Sequence, residues 1–450
     1  MLRGYQNTEY WVLGDNAESV NFAARKNNVF LRIYFLHIKS STKSMRKIFS
    51  LLAVVVSALI FVSCGESDNE PKLSTFTVQI TSDQTITDFT AFQVKVTESK
   101  SGTAFTAQAD ASGKATFSLP LGQYDIVAED SYDGVSTMYG HTENYTLSAY
   151  QATVSVKVAG LFGQLEKTFV LDELYFNGDD NGNFSRTYYE GYFTIRNVSD
   201  RALYADGLSI AICGDYNNLE NDESDPMPSY LKKDSIVVTQ LYTIPGNGHT
   251  YKVNPGESIV IAHSAINHKL GEDGKVDPEK PYSIDLSGAD FEIYVPYEYS
   301  MTTDNQDVPN LIVDYSMNQA FNWGYSGGTP MLLVRLTDAQ KTAMLNGKVK
   351  LPLPTSSSME MDHLLLPMSA VIDGAETGCV DNLFHKVLPD RIDRGSVLIQ
   401  DDGLYGGFCG QFVQRKRVTD ASGKETVVDT NNSTDDFEII PHGQKSYPKK

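Results

Sequence analysis

Short segments of alternating apolar and polar residues, separated by Gly, Pro, Asn and Asp, recur along most of the chain. Residues 75–80 and 92–96 alternate with period two, which is typical of strands that are buried on one face. A Ser-Gly turn at 112–113 leads into another such strand, and later segments at 168–176 and 255–262 end or begin at similar turns. The sequence therefore predicts an all-β fold.

The first group of these segments lies in residues 73–160. It contains Gly-Lys-Ala-Thr-Phe at 113–117 and Leu-Gly-Gln-Tyr-Asp-Ile at 121–126, and an alternating strand at 153–158 ends it. These stretches resemble transthyretin-like and carboxypeptidase-regulatory-like β-sandwiches. The resemblance implies a sandwich that serves as a spacer or docking module, and it implies no activity.

The second group spans residues 165–445. Its landmarks, in order, are an opening strand at 168–176, an Asn-Val-Ser turn at 197–199, a Pro-Gly-Glu strand from 255, a Gln-Arg step at 414–415, and Asp-Thr-Asn-Asn-Ser…Asp-Phe at 429–437. This ordered set resembles the lamin-tail domain, which implies an Ig-like β-sandwich. The region is much longer than that family's core, so we predict long insertions around 214–240 and 264–400. A capping box at 337–340, followed by Gly347, predicts one short helix in the second insertion.

A complete export signal precedes both groups. Arg46 and Lys47 lead into an apolar run at 48–62, which is typical of a signal peptide and short for a membrane span. The residues before Cys64 resemble a bacterial lipobox, in which the cysteine becomes the lipid-bearing N-terminus, although Phe61 stands where that family usually has Leu. We therefore predict a lipoprotein signal peptide over 45–63 and lipidation of Cys64. A plain signal anchor with an incidental cysteine is the alternative.

The segments on either side of this signal have two interpretations each. Residues 1–44 precede a signal that begins at Met45, so we interpret them as a misassigned upstream extension; a cytoplasmic arm ahead of a signal anchor is the alternative. Residues 64–72 form an acidic tether that resembles the surface-export signal of Bacteroidetes-type lipoproteins, although a merely solvated tether has the same composition. The whole layout resembles an uncharacterised family of Bacteroidetes-type surface lipoproteins. The resemblance implies a cellular location and a fold but no activity.

The net charge limits the kinds of partner that the protein can bind. The net charge is −20, from 37 Lys and Arg against 57 Asp and Glu, and so acidic a surface repels phosphate backbones. We therefore expect no nucleic-acid partner.

Four cysteines are too few for a disulfide-stapled scaffold. Cys379 and Cys409 could form a bridge, or they could remain isolated buried thiols.

Two patterns imitate hydrolase chemistry, and both fail on their context. Residues 324–328 match the nucleophile-elbow pattern around Ser326, but a strand-like segment follows where that chemistry needs a helix. His263 lies too close to Ser326 in the chain for a double-barrel serine protease. His263 and His268 also lack the i,i+4 spacing of a helical zinc site. We therefore predict no catalytic residue and no enzyme.

Possible metal ligands have simpler explanations. Met, Met and His alternate over 359–363, so a strand would place them on one face, where they could hold copper or haem iron or simply fill a core. Residues 179–183 with Glu190 imitate a calcium loop, but Phe184 holds the position that an EF-hand gives to glycine. The acidic loop at 273–277 could also hold structural calcium. We predict no metal site and no cofactor.

Two aromatic segments in the second insertion are candidates for ligand binding. They supply Tyr297 and Tyr299 in the first segment, and Trp323 and Tyr325 in the second. Exposed aromatic side chains beside Asn and Gly suit stacking on sugars or gripping a protein partner. Packing into the edge of the sandwich is the alternative.

These observations predict a non-catalytic lipoprotein of the outer membrane, exposed at the cell surface and bound to the membrane through the lipid on Cys64. We expect a binding or uptake accessory module whose partner is an outer-membrane transporter or another surface protein. A structural or adhesive surface protein is the alternative, and a hydrolase is the least favoured class.

Overall fold

The computed structural model describes residues 72–441 except for 183–185, 188, 214–226, 298–301, 318–320, 322, 325–326, 328, 354–355, 381–386, 400–406, 420–422 and 424. The chain divides into Met1–Pro71 and a compact unit, Lys72–Lys450, which contains every described residue. Strands dominate this part of the chain and confirm the all-β class. Among the described residues, no helix has the length and apolar character needed to span a bilayer.

Seven strands build the first β region, residues 74–160. They are β1 (Ser74–Ser82), β2 (Phe92–Glu98), β3 (Ala104–Gln108), β4 (Lys114–Leu119), β5 (Gly122–Asp130), β6 (Met138–Leu147) and β7 (Gln151–Gly160). Their order is β3-β2-β5-β6-β7-β1-β4, and β1 runs parallel to β7 while the other pairs are antiparallel. Alternate side chains point inward, as in β1, where Phe76, Val78 and Ile80 are buried and contribute to one core with β2, β4 and β5.

The second β region follows after a 3₁₀ turn at Leu161–Gln164. Its elements are β8 (Phe169–Tyr175), β9 (Tyr192–Asn197), β10 (Leu203–Tyr204), β11 (Leu208–Cys213), α1 (Met227–Leu231), β12 (Ser235–Thr243), β13 (Lys252–Val253), β14 (Ser258–Ala262), β15 (Phe291–Glu292), β16 (Ile312–Ser316), β17 (Met331–Arg335), α2 (Asp338–Asn346), β18 (Val349–Leu353), β19 (Ser356–Pro367), β20 (Val371–Ala375), β21 (Thr377–Cys379), β22 (Val397–Ile399), β23 (Phe412–Arg415), β24 (Arg417–Thr419), β25 (Glu425–Val427), α3 (Ser433–Asp436) and β26 (Phe437–Ile440).

Two large sheets organise this region. One has the order β18-β19-β12-β11-β17-β20, with β16 also paired to β12, and the other has the order β15-β14-β9-β8-β23-β26. Every residue of β11 is buried because apolar clusters cover both faces of its sheet. Ile210 and Ile212 enter the core shared with the other sheet, whereas Ala211 and Cys213 enter a second core on the opposite face. Runs of continuous apolar residues in these strands follow from this two-sided burial.

The predicted short helix is confirmed as α2. Thr337 caps it, because the Thr337 side chain accepts a hydrogen bond from the Gln340 amide at 3.2 Å, and the Gln340 side chain accepts one from the Thr337 amide at 2.9 Å. Gly347 stands at its C-terminal cap, as predicted. Met344 anchors the helix in the second core.

A buried group of charged residues, which we call the Arg415 cluster (Arg415, Asp373, Asp429 and Asp436), ties β23 to distant segments. Arg415 is 1% exposed. Its Nη2 donates to both Asp373 carboxylate oxygens at 2.9 Å, and its Nη1 donates to Asp429 at 3.2 Å and to Asp436 at 3.4 Å. Phe437 covers the guanidinium at 4.7 Å. The Gln-Arg and Asp-Phe landmarks of the sequence therefore meet in space.

The cysteines of the described residues are not bridged. Cys213, Cys379 and Cys409 are all buried and none is in a disulfide, so the possible Cys379–Cys409 bridge is not formed. Burial raises the pKa of the Cys213 thiol far above its ordinary value. The three side chains lie in the apolar cores, and the Cys409 Sγ also donates to the Asn177 side-chain oxygen at 2.9 Å.

Candidate functional site

A cleft of about 950 Å³ lies where the first β region passes into the second. Its walls come from residues 160–170, which connect the two regions, from residues 335–339 at the end of β17 and start of α2, and from residues 369–372 before and within β20. Gln84, Val198 and Asp429 complete the lining. A concave site at a junction of two regions is a common location for a ligand.

Arg335 is the distinctive residue of this cleft. It ends β17 opposite Leu208 of β11, and its guanidinium lies over the Phe162 ring at 4.3 Å from the ring centroid. Phe162 in turn stacks on Phe169, with the ring centroids 5.8 Å apart. Stacking holds the cation in place without neutralising it.

One nitrogen of the Arg335 guanidinium is left unpaired within the described part of the chain. This Nη1 is shielded from solvent and has no hydrogen-bond partner there. The negative charge of Asp206 acts on the guanidinium and opposes the lowering of its pKa, but no ion pair within 4.0 Å joins the two side chains. Burial lowers the pKa of Arg335, although a guanidinium stays protonated at neutral pH. A cleft is thus lined by a partly desolvated cation that lacks an acceptor.

The two β regions also touch away from the cleft. The Tyr204 hydroxyl donates to the Tyr132 carbonyl at 2.7 Å, and the Lys252 ammonium donates to the Asp133 carbonyl at 3.2 Å. The His249 ring stacks on the Tyr132 ring, with centroids 4.5 Å apart and planes 10° from parallel. These contacts join the first β region to the second.

The aromatic residues predicted to bind ligand do not form one site. Trp323 is 5% exposed and packs against Phe176, Phe193 and Phe321. The expectation of an exposed Trp323 is therefore wrong, and packing in the core is its role. Tyr297 is 46% exposed, which leaves its ring accessible. Tyr299 and Tyr325 lie outside the described residues.

The residues of the hydrolase-like pattern are used for packing where they are described. His263 lies edge-on to Tyr189 and Phe321, and burial lowers its pKa to about 3, so its ring is neutral. Gly327 has φ +74°, and a Cβ there would stand 2.7 Å from the Gly378 nitrogen. The close approach and the positive φ at this position require glycine. Ser326 lies outside the described residues.

The possible metal ligands are engaged in local contacts. Glu190 accepts hydrogen bonds from the Ser283 hydroxyl and the Ile284 amide, both at 2.8 Å. These bonds hold the segment at 283–284 against Glu190. Met359 is 55% exposed whereas His363 is fully buried and its Nδ1 lies 2.8 Å from the Met361 carbonyl oxygen. Within the described residues, no group of three or more His, Cys, Asp or Glu side chains is arranged to hold a metal. Cys64 and the signal segment lie outside these residues.

Sequence reasoning missed both Arg335 and Glu173. Glu173 lies in β8, where burial and the adjacent negative charge of Asp172 raise its pKa to about 7, against the opposing charges of Arg417 and Arg196. The Tyr192 hydroxyl is 3.5 Å from its carboxylate. Nothing in the order of residues reveals either environment, because both arise from elements that pack across the fold.

The raised pKa of Glu173 gives the protein a specific pH dependence. The folded state holds this proton up to about pH 7, whereas the unfolded state releases it near 4.5. Between these values the folded state binds more protons, so the free energy of unfolding falls as pH rises, by about 3 kcal/mol from this group. His263, whose pKa is lowered, contributes the opposite slope below its unfolded pKa, so the decline should appear in the difference between the wild type and Glu173→Gln when both are denatured chemically from pH 4 to 8. The exposed Glu438→Gln serves as the control; a difference between the wild type and Glu438→Gln that declines equally, or no decline for Glu173→Gln, would contradict the assignment.

Part of the chain is similar to an uncharacterised family. Residues 254–442 match a family described as "Protein of unknown function (DUF4876)". A crystal structure of a DUF4876 family protein from Bacteroides thetaiotaomicron VPI-5482 is 20% identical, with a TM-score of 0.46 over 81% of this chain and 94% of that chain. A crystal structure of a DUF3823 family protein from Parabacteroides merdae ATCC 43184 is 8% identical, with a TM-score of 0.17 over 41% of this chain and 99% of that chain. No curated protein matches. None of these matches names an activity.

Proposed function

We propose that this protein is a non-catalytic binding module, held on the outer membrane by lipid on Cys64, facing outward and serving as an accessory to uptake. The observation that carries the proposal is the cleft of about 950 Å³ at the junction of the two β regions. Such a cleft, lined by apolar residues and a few polar groups, is large enough to bury most of a small ligand.

The chemistry of the described cleft residues favours binding over catalysis. The polar side chains that line it include Arg335, Lys167 and Thr168, and its carboxylates include Glu166 and Asp338. Acid–base or nucleophilic catalysis needs a nucleophile and a base within hydrogen-bond reach of each other. The hydrogen bonds found among the described lining residues include no such pair; Thr337, for example, is committed to capping α2.

The proposed location on the cell surface rests on the sequence. The signal over 45–63, the lipobox-like residues before Cys64 and the acidic tether after it support a lipid anchor and surface display. The match of residues 254–442 to an uncharacterised family is compatible with this address and adds no activity. A transporter or another surface protein is the partner that an uptake accessory would need.

A membrane pull-down tests the proposal. The tagged protein is extracted with detergent from its native membrane, while intact cells are treated with protease and labelled with palmitate. We expect label on the wild type, loss of label in Cys64→Ser, cleavage on intact cells, and a co-purifying membrane barrel. Recovery of the protein alone, together with binding to polymers of neighbouring cells, would favour adhesion. Resistance to protease would contradict surface display.

A further inference from the structure

The class of ligand that the cleft binds can be inferred from the missing hydrogen-bond acceptor of the Arg335 Nη1 among the described residues. A buried or half-buried guanidinium normally donates several hydrogen bonds, because its five N–H groups are costly to leave unpaired. Elsewhere in this fold the rule holds: Arg415 donates to three carboxylates and two carbonyls, and Arg417 donates to Asp172 at 2.5 and 2.8 Å. Arg335 is the exception among these three, and it is the one that lines the cleft.

The charges around Arg335 indicate how much negative charge the cleft can accept. Lys167 adds a second cation to the lining, whereas Glu166 and Asp338 add two carboxylates. Asp206 lies outside the lining and its charge also acts on Arg335, but its carboxylate already accepts hydrogen bonds from three backbone amides. Asp429 also reaches the lining, but Arg415 holds it at 3.2 Å. A nearly balanced set of this kind favours a single negative charge over the two that a phosphate monoester carries.

The remaining lining suits a ligand with an apolar or ring-shaped body. Phe162, Leu165, Leu336 and Ile372 supply apolar surface next to the guanidinium. The first residues of α2, a nine-residue helix, lie in the same wall, and the positive end of a helix favours a nearby anion. A planar carboxylate can accept two parallel hydrogen bonds from a guanidinium that is already fixed by stacking.

We propose that the cleft binds a monocarboxylate, with Arg335 as the group that recognises the carboxylate and Phe162 as the platform that orients Arg335. This inference rests on the proposed binding function and names the chemical class of its ligand. Arg335 should also lower the stability of the protein when no ligand is bound, since the cation is partly desolvated and its Nη1 has no acceptor among the described residues.

The test uses benzoate, with its uncharged analogue benzamide, on the protein purified from residue 72 onward with its tag and on the full lipoprotein in detergent. Calorimetric titration should give saturable benzoate binding, with benzamide at least about tenfold weaker. Arg335→Met should weaken benzoate binding by about 10–100-fold and remove the preference for the acid. In the absence of ligand, Arg335→Met should also melt about 1–3 °C higher than the wild type. Exposed Arg394→Met is the matched control and should change neither property.

Three results of the titration would overturn the inference: no saturable benzoate binding, equal affinity for acid and amide, or an unchanged preference in Arg335→Met. A variant that melts lower would show that Arg335 stabilises the empty fold, and it would equally overturn the assignment. Membrane pull-down of Arg335→Met separates this inference from the proposed function. If the partner still co-purifies while benzoate fails, the ligand class is wrong and the accessory role stands. If benzoate binds and no partner is recovered from the wild type, the accessory role is wrong.

Discussion

Replacing Arg415 by methionine is expected to lower the free energy of unfolding by about 3–5 kcal/mol, because it leaves buried carboxylates without their cation. Asp373 is 5% exposed and Asp436 is 1% exposed, and both lose a direct partner in Arg415→Met. The Leu171 carbonyl, which accepts from the Arg415 Nε at 2.7 Å, loses its donor as well. Urea denaturation followed by circular dichroism measures the change.

Two matched variants separate the charge network from the loss of a long side chain. Lys416→Met changes the neighbouring residue, whose ammonium reaches the Asp435 carbonyl at an exposed position, and should cost less than about 1 kcal/mol. Arg415→Lys keeps the charge but cannot donate to both oxygens of Asp373 and to two more carboxylates, so its cost should be intermediate. Equal stability of Arg415→Met and Lys416→Met would contradict a structural role for the Arg415 cluster.

Replacing Trp323 by alanine is expected to cost about 3–5 kcal/mol, as for other large buried aromatic side chains. The ring packs against Phe176 and Phe193, with centroid separations of 5.5 and 5.8 Å, inside the core shared by the two large sheets. Its Nε1 is buried and has no hydrogen-bond partner among the described residues. Trp323→Phe should therefore cost much less than Trp323→Ala, since it keeps an aromatic ring and removes an unpaired donor.

Tyr297→Ala provides the comparison, because that ring is 46% exposed and its removal should change stability by less than about 0.5 kcal/mol. Thermal melts of the three variants measure the contrast. A Trp323→Ala variant as stable as Tyr297→Ala would show that the ring is a surface group after all, and it would restore the original ligand-binding prediction for it.

The sequence predicted the class of the fold and several local features. Period-two alternation in β1 and the capping box at Thr337 depend on residues a few positions apart, and local chemistry decides them. The exposure of Trp323 depends on which distant residues lie beside it, so its neighbouring Asn and Gly were a poor guide. Burial on both faces of β11 likewise could not be read from its apolar run.

The candidate site was less predictable than the fold. The Gln-Arg step at 414–415 was singled out as a landmark, yet its carboxylate partners come from β20 and the segment 429–436. Arg335 ends an apolar strand, and nothing near it in the chain signals that it faces a cleft. Its significance depends on Phe162, which lies in the link between the two β regions, and on the lack of an acceptor, which the order of residues cannot show.

The position of β23 beside β8 has a consequence for the order of folding. Leu174 pairs with Val413 and Glu173 with Gln414, so the middle of a sheet is joined across more than half the chain. Contacts between such distant residues form late and slowly. Before β23 pairs with β8, one edge of β8 exposes unpaired backbone groups that can pair with a strand of another chain. Chains that stall or are cut before Phe412 should therefore aggregate rather than persist as partly folded monomers, and folding to completion must await the final strands.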